Sequence, residues 1–154
     1  MAKYSEASLE KLQTCHDDLQ AVFKAVVRKF DNTVLYGHRS PEFQFELYKK
    51  GRKEVSPGVW EIVDRSKVVT NADGYQKQSD HNLFPSKAID AAPYPVDLTD
   101  LSRIRYFAGY AMGVAAELKH SGKITHSLRW GGDWDDDTDL KDQSFNDLLH
   151  FYLV

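Results

Sequence analysis

The sequence predicts a small single α+β domain, and three observations carry that expectation. Apolar residues recur at helical spacing over 8–30 and again over about 100–121. Short runs at 33–37, 87–91, 124–130 and 150–154 instead read as strands. The length of 154 residues fits one domain with a sizeable core, and there is no internal repeat, low-complexity tract or linker. One unit spanning 1–154, with no separate binding module, is therefore expected.

The charge balance excludes some functions. With 20 basic and 23 acidic residues the net charge is −3, so there is no polybasic footprint for nucleic acid. A single cysteine, Cys15, rules out an intramolecular disulfide and a cysteine-rich metal site. The N-terminal residues Met1 to Glu6 lack the apolar core of a secretory signal, and no apolar run approaches the roughly 20 residues that span a bilayer. The expectation is a soluble monomer made in the cytosol, with no membrane partner.

The elements follow in order. Leu9, Leu12, Leu19, Val22, Phe23, Val26, Val27 and Phe30 share a helical stripe after Ser5 or Ser8 as caps, with His16 and Cys15 packed at its edge. Thr33 to Gly37 form a short strand. Ser40-Pro41-Glu42 then supplies a cap, a first-turn proline and a first-turn acid for a helix that stops near Gly51. Arg39 thus sits at a strand-to-helix corner, held between rigid elements. Residues 51–78 are polar and irregular, with a hairpin around Val59 to Val63, and 66–80 reads as a long surface loop. In the strand at Lys87 to Ala91, Ala88 and Asp90 share one face and Ile89 takes the other, and Pro93 and Pro95 end its ladder. Asp97 or Thr99 caps the helix at 100–121, whose seam is Leu101, Ile104, Ala108, Ala111, Ala115 and Leu118, and Gly122 stops it. Ile124 to Trp130 is a further strand, Phe145 to Leu149 a short helical turn, and His150 to Val154 the terminal strand.

Three residues suggest metal chemistry. His81 precedes Asp90 by nine positions, and His150 follows Asp147 by three. Two imidazoles and a carboxylate leave a tetrahedral zinc with one open position, the layout of a catalytic site. A carboxylate on a strand face shared with alanine needs a partner, and either a metal or turn amides could supply it. The helical H-E-x-x-H zinc motif is absent. Asp147 is the best-placed acid–base group, and Arg39 could stabilise an oxyanion or hold a substrate carboxylate. Asp133, Asp135 and Asp137 could hold a hard cation such as calcium, although the loop lacks the glycine and final glutamate of a helix-loop-helix calcium site. A solvated acidic loop is the preferred reading.

Taken together, Ser79-Asp80-His81, Ala88-Ile89-Asp90 and Asp147-Leu148-Leu149-His150 occur in the order S-x-H, x-D, D-x-x-H. Upstream, Gly37-His38-Arg39-Ser40-Pro41 looks like a G-x-R-S-P segment. These motifs resemble the zinc D-Ala-D-Ala carboxypeptidase and L-alanyl-D-glutamate endopeptidase family, which includes many bacteriophage endolysins. The spacer Asn82 to Lys87 and the segment Trp130-Gly131-Gly132-Asp133-Trp134 are similar to a phage-type subgroup. The likeness runs from about Val34 to the C-terminus.

The resemblance implies an antiparallel sheet carrying the zinc, with helices packed against it. It implies one Zn²⁺ held by His81, Asp90 and His150, Asp147 as general acid–base, Arg39 at the substrate, and Ser79 in support. The implied substrate is the peptide stem of peptidoglycan, cut at the L-alanyl-D-glutamate bond by zinc-activated water. The D-Ala-D-Ala bond and a non-catalytic, metal-holding wall-binding module are the alternatives. The likeness further implies synthesis in the host cytoplasm and release to the wall in phage lysis. Leu149 and Tyr152 stand where relatives often carry Pro and Glu, which changes the surroundings of His150.

Overall fold

The computed structural model describes residues 1–154. The stripe of 8–30 folds as two helices, α1 (Glu6–Gln13) and α2 (Asp17–Val27), instead of one. The break is made by tertiary hydrogen bonds: Ser86 N–H donates to Thr14 O at 2.9 Å, and His16 N–H donates to Ser86 O at 2.8 Å. Ser5 caps α1, while the imidazole of His16 caps α2 by accepting from Asp18 N–H at 3.1 Å. Apolar spacing continues across the interruption, so periodicity alone cannot reveal it.

Four strands, β1 (Asn32–Tyr36), β4 (Ala88–Pro93), β5 (Leu128–Trp130) and β6 (His150–Leu153), form one antiparallel sheet in the order β1-β4-β6-β5. Helix α3 (Pro41–Tyr48) and a hairpin of β2 (Arg52–Ser56) and β3 (Val59–Ile62) lie between β1 and β4 in sequence. Helix α4 (Leu101–His120) follows β4. The architecture is α+β.

Several boundaries differ from the sequence expectation. The ladder continues through Pro93, which pairs with Asn32, because an antiparallel partner needs no donor from that position. Asp100 caps α4 by accepting from Arg103 N–H at 3.0 Å, while Asp97 closes a separate turn onto Thr99. Only Leu128–Trp130 of the 124–130 run is strand, since Thr125 and His126 turn their amides to Asp18. The helical turn expected at 145–149 reduces to a tight turn in which His150 N–H donates to Asp147 O at 3.1 Å. Residues 51–58, expected to be irregular, supply β2.

The strand alternation sets the layout. Ile89, Ala91, Phe151, Leu153, Leu128 and Trp130 face the helices and join Leu12, Leu19, Val22, Phe23, Val26, Phe107, Ala108, Ala111 and Ala115 in one core. Phe151 meets Phe23 edge-to-face at 5.4 Å and Phe107 at 6.0 Å. Asp90, His150 and Tyr152 are out of phase with those residues, so they occupy the opposite face. There the segment 79–83 covers them, as a short 3₁₀ turn at Asp80–Asn82. No helix is long and apolar enough to cross a membrane.

Candidate metal centre

Asp90 and His150 are direct cross-strand partners of β4 and β6. Such partners hold their Cβ atoms about 4.5–5.5 Å apart on one face, so the register alone brings a carboxylate and an imidazole together. His81 comes down on them from the 3₁₀ turn and is 1 % exposed. The three ligand atoms form a nearly equilateral triangle: His81 Nε2–Asp90 Oδ1 3.2 Å, His81 Nε2–His150 Nδ1 3.2 Å and His150 Nδ1–Asp90 Oδ1 3.1 Å.

Hydrogen bonding decides where the lone pairs point. His81 Nδ1 lies 2.7 Å from the Gly37 carbonyl, which can only accept, so Nδ1 carries the proton. The neutral ring then turns the Nε2 lone pair toward Asp90 and His150. Three lone-pair atoms this close need shared protons or a metal cation among them to offset their repulsion. A tetrahedral zinc with bonds of about 2.0–2.1 Å sets its ligand atoms about 3.3–3.4 Å apart, near the observed edges. Donor set and spacing fit a metal ion.

The surrounding residues hold these donors. Ser79 is not among the converging atoms. Its Oγ accepts from His81 N–H at 3.3 Å, and its own N–H donates to Asn82 Oδ1 at 2.8 Å, a reciprocal cap that fixes the turn. Arg39 donates through Nη2 to Asp90 Oδ2, the oxygen facing away from the histidines. Its N–H bonds His81 O at 2.7 Å, Asn82 Nδ2 donates to its carbonyl at 3.0 Å, and its guanidinium lies 4.7 Å over the Tyr36 ring. Burial by itself would raise the Asp90 carboxyl. The imidazoles of His150 and His81, together with the Arg39 guanidinium, outweigh burial and hold it well below the usual carboxylate range.

Asp147 behaves oppositely. Burial raises its carboxyl above the ordinary value, and the Asp90 charge adds to that, against smaller opposing pulls from His150, Arg39 and His81. Its backbone is pressed against Gly131, to whose carbonyl Asp147 N–H donates at 2.8 Å. A Cβ at Gly131 would stand 2.4 Å from Asp147 O, so only glycine admits this approach.

Spacing gave no sign of the aromatic clamp on His150. Tyr152 stacks on the imidazole at 5.6 Å and 26°, and Trp134 lies on it at 5.8 Å and 33°. Tyr152, noted above as a departure, therefore still contacts the ligand. Trp134 in turn donates through Nε1 to Phe145 O at 2.9 Å. The structure also brings Asp133, Asp135 and Asp137 within 4.8 Å of one another. Their loop is held internally, with Asp133 accepting from Asp137 and Thr138 N–H and Asp137 from Asp139 N–H. Cys15 is not among the converging donors, and burial pushes its thiol up to about 12.

A family model describing phage L-alanyl-D-glutamate peptidases matches residues 1–154. The chain belongs to that family. No curated protein matches the sequence. Among solved structures, the Serratia marcescens L-Ala D-Glu endopeptidase ChiX is similar, with a TM-score of 0.63 at 19 % identity, covering 98 % of this chain and 89 % of its own. At that identity the likeness bears on fold, and it agrees with the antiparallel sheet described here. This phage-type peptidase, whose family acts on the L-alanyl-D-glutamate amide of peptidoglycan, carries its convergent histidines and carboxylate on the sheet face away from the core.

Proposed function

We propose that this peptidase is a zinc-dependent endopeptidase whose ion is held by His81, Asp90 and His150, with Asp147 as general acid–base. The observation that carries the proposal is the triangle of donor atoms with edges of 3.1–3.2 Å. Zinc held there would polarise the scissile carbonyl and bring the pKa of a bound water toward neutrality.

The chain's own residues supply the rest. Asp147 accepts a proton from the water that attacks the carbonyl carbon and returns it to the amine nitrogen as the C–N bond breaks. Its raised carboxyl is a stronger proton acceptor than an ordinary aspartate. Arg39 keeps Asp90 ionised and oriented, and its guanidinium would also hold a substrate carbonyl or carboxylate. Ser79 and Asn82 hold the turn that aims His81. The protein acts as a single catalytic domain on the stem peptide, reaching the wall after synthesis in the host.

The test is zinc content and lysis of purified sacculi on one preparation, for wild type, His150→Ala and Asp147→Asn. The proposal expects one zinc fewer and no lysis in His150→Ala, and retained zinc with lost lysis in Asp147→Asn. Lysis by a zinc-free enzyme would overturn the site. Digests should expose new D-glutamate amino termini, whereas released free D-alanine would indicate carboxypeptidase action instead.

A further inference from the structure

Away from Asp90 the fold assembles a second group with the same donor chemistry. His16, Asp18 and His126 each place one ligand atom within 4.8 Å of the others. We propose that these three residues bind a second transition-metal ion of the zinc type, which fastens the start of α2 to the segment before β5.

The Asp18 carboxylate is already fixed in position. The residue is 9 % exposed, and one oxygen, Oδ2, takes all its hydrogen bonds: from Thr125 N–H at 3.0 Å, Thr125 Oγ1 at 3.2 Å, His126 N–H at 2.9 Å and His126 Nδ1 at 2.7 Å. Oδ1 accepts none of these and keeps its lone pairs. Burial opposes the charge, but the bonds from His126 and Thr125 prevail and hold the carboxyl at about 2, so it is an anion throughout the neutral range. His16 and His126 meet edge-to-face at 4.7 Å, and both are only partly buried, leaving a path for an ion from solvent.

Chemistry selects the ligand class. Two imidazoles and one carboxylate suit zinc, nickel or copper and do not suit calcium or magnesium, which prefer oxygen. The ion replaces the proton that His126 shares with Asp18, and His16 gives up its capping bond to become the third donor. An imidazole at the N-cap is itself unusual, since Ser, Thr, Asp and Asn dominate there. The cluster is distinct from the first. Ser127, beside His126, pairs with Val154 at the end of β6, and His150 lies four residues back along that strand, about 13 Å at the usual rise.

The experiment is zinc counting by equilibrium dialysis at micromolar zinc on the full chain, comparing wild type, His16→Ala, His126→Gln and His150→Ala. Glutamine retains a donor for Asp18, so His126→Gln guards against simple unfolding. The expected result is one zinc fewer in both His16→Ala and His126→Gln, with that ion still bound in His150→Ala. Zinc should also raise the Tm of His150→Ala, and the rise should vanish when His126→Gln is added. Undiminished zinc in His16→Ala and His126→Gln would overturn the proposal. Failure of the catalytic reading would show separately, as His150→Ala binding as much zinc as wild type.

Discussion

The proton on His81 Nδ1 is held by the main-chain carbonyl of Gly37, 2.7 Å away, and Gly37 is itself packed against α1. A Cβ there would stand 2.4 Å from both Lys11 O and Thr14 Oγ1, so the carbonyl position depends on the residue having no side chain. Substituting Gly37→Ala should displace the carbonyl and weaken metal binding about 10–100-fold, the usual effect of losing a partner behind a ligand. Chelator competition measures this directly. Wild-type affinity in a folded Gly37→Ala chain would contradict it.

Asp147 offers the cleanest separation of binding from turnover. Asp147→Asn keeps the shape but cannot take up a proton, so the rate of stem-peptide cleavage should fall by about 10²–10⁴. Bound metal should remain, because Asp147 is not among the converging donors. A kinetic assay on a soluble stem peptide, with metal content measured on the same sample, decides the point.

The aromatic clamp predicts a smaller effect. Removing the ring in Tyr152→Ala or Trp134→Ala loses a stacking contact with His150 of about 0.5–1.5 kcal/mol beyond buried area. Metal affinity should fall by about tenfold or less in each. Loss of all binding would mean that the rings hold the loop and not merely the imidazole.

Acid stability should depend on Asp18. Its folded pKa of about 2 lies below the unfolded value of about 3.9. The sign follows: the stabilisation is fully present above about pH 4 and is lost as the pH falls toward 2. Melting curves of wild type and Asp18→Asn should therefore differ at pH 6 and converge near pH 2. A constant gap across that range would rule out the charge as the cause.

Stability and chemistry should also separate across β6. Phe151 is fully buried among Phe23 and Phe107, on the opposite face from its neighbour His150. Phe151→Ala should cost about 3–5 kcal/mol in denaturant unfolding, whereas His150→Ala should cost far less while abolishing metal binding at the His81–Asp90–His150 site.

Much of this was legible in the chain because it is local or motif-borne. The Ser40 cap and Pro41 predict α3, the small and apolar residues of 101–120 predict α4, and strand alternation sets Asp90 opposite Ile89. The ordered motifs around His81, Asp90 and His150 likewise mark residues that the fold brings together. What the tertiary structure alone decided rests on hydrogen bonds between distant segments. Ser86 splits one apolar stripe into α1 and α2, the Gly37 carbonyl selects the His81 tautomer, and Trp134 reaches His150 from an acidic loop. Asp18 and His126, 108 residues apart, meet only because α2 and β5 pack into the same core. Side-chain periodicity reports which face of an element is apolar. It carries no record of which distant carbonyl, ring or carboxylate will satisfy the polar groups left over, and those pairings shape the chemistry of the site.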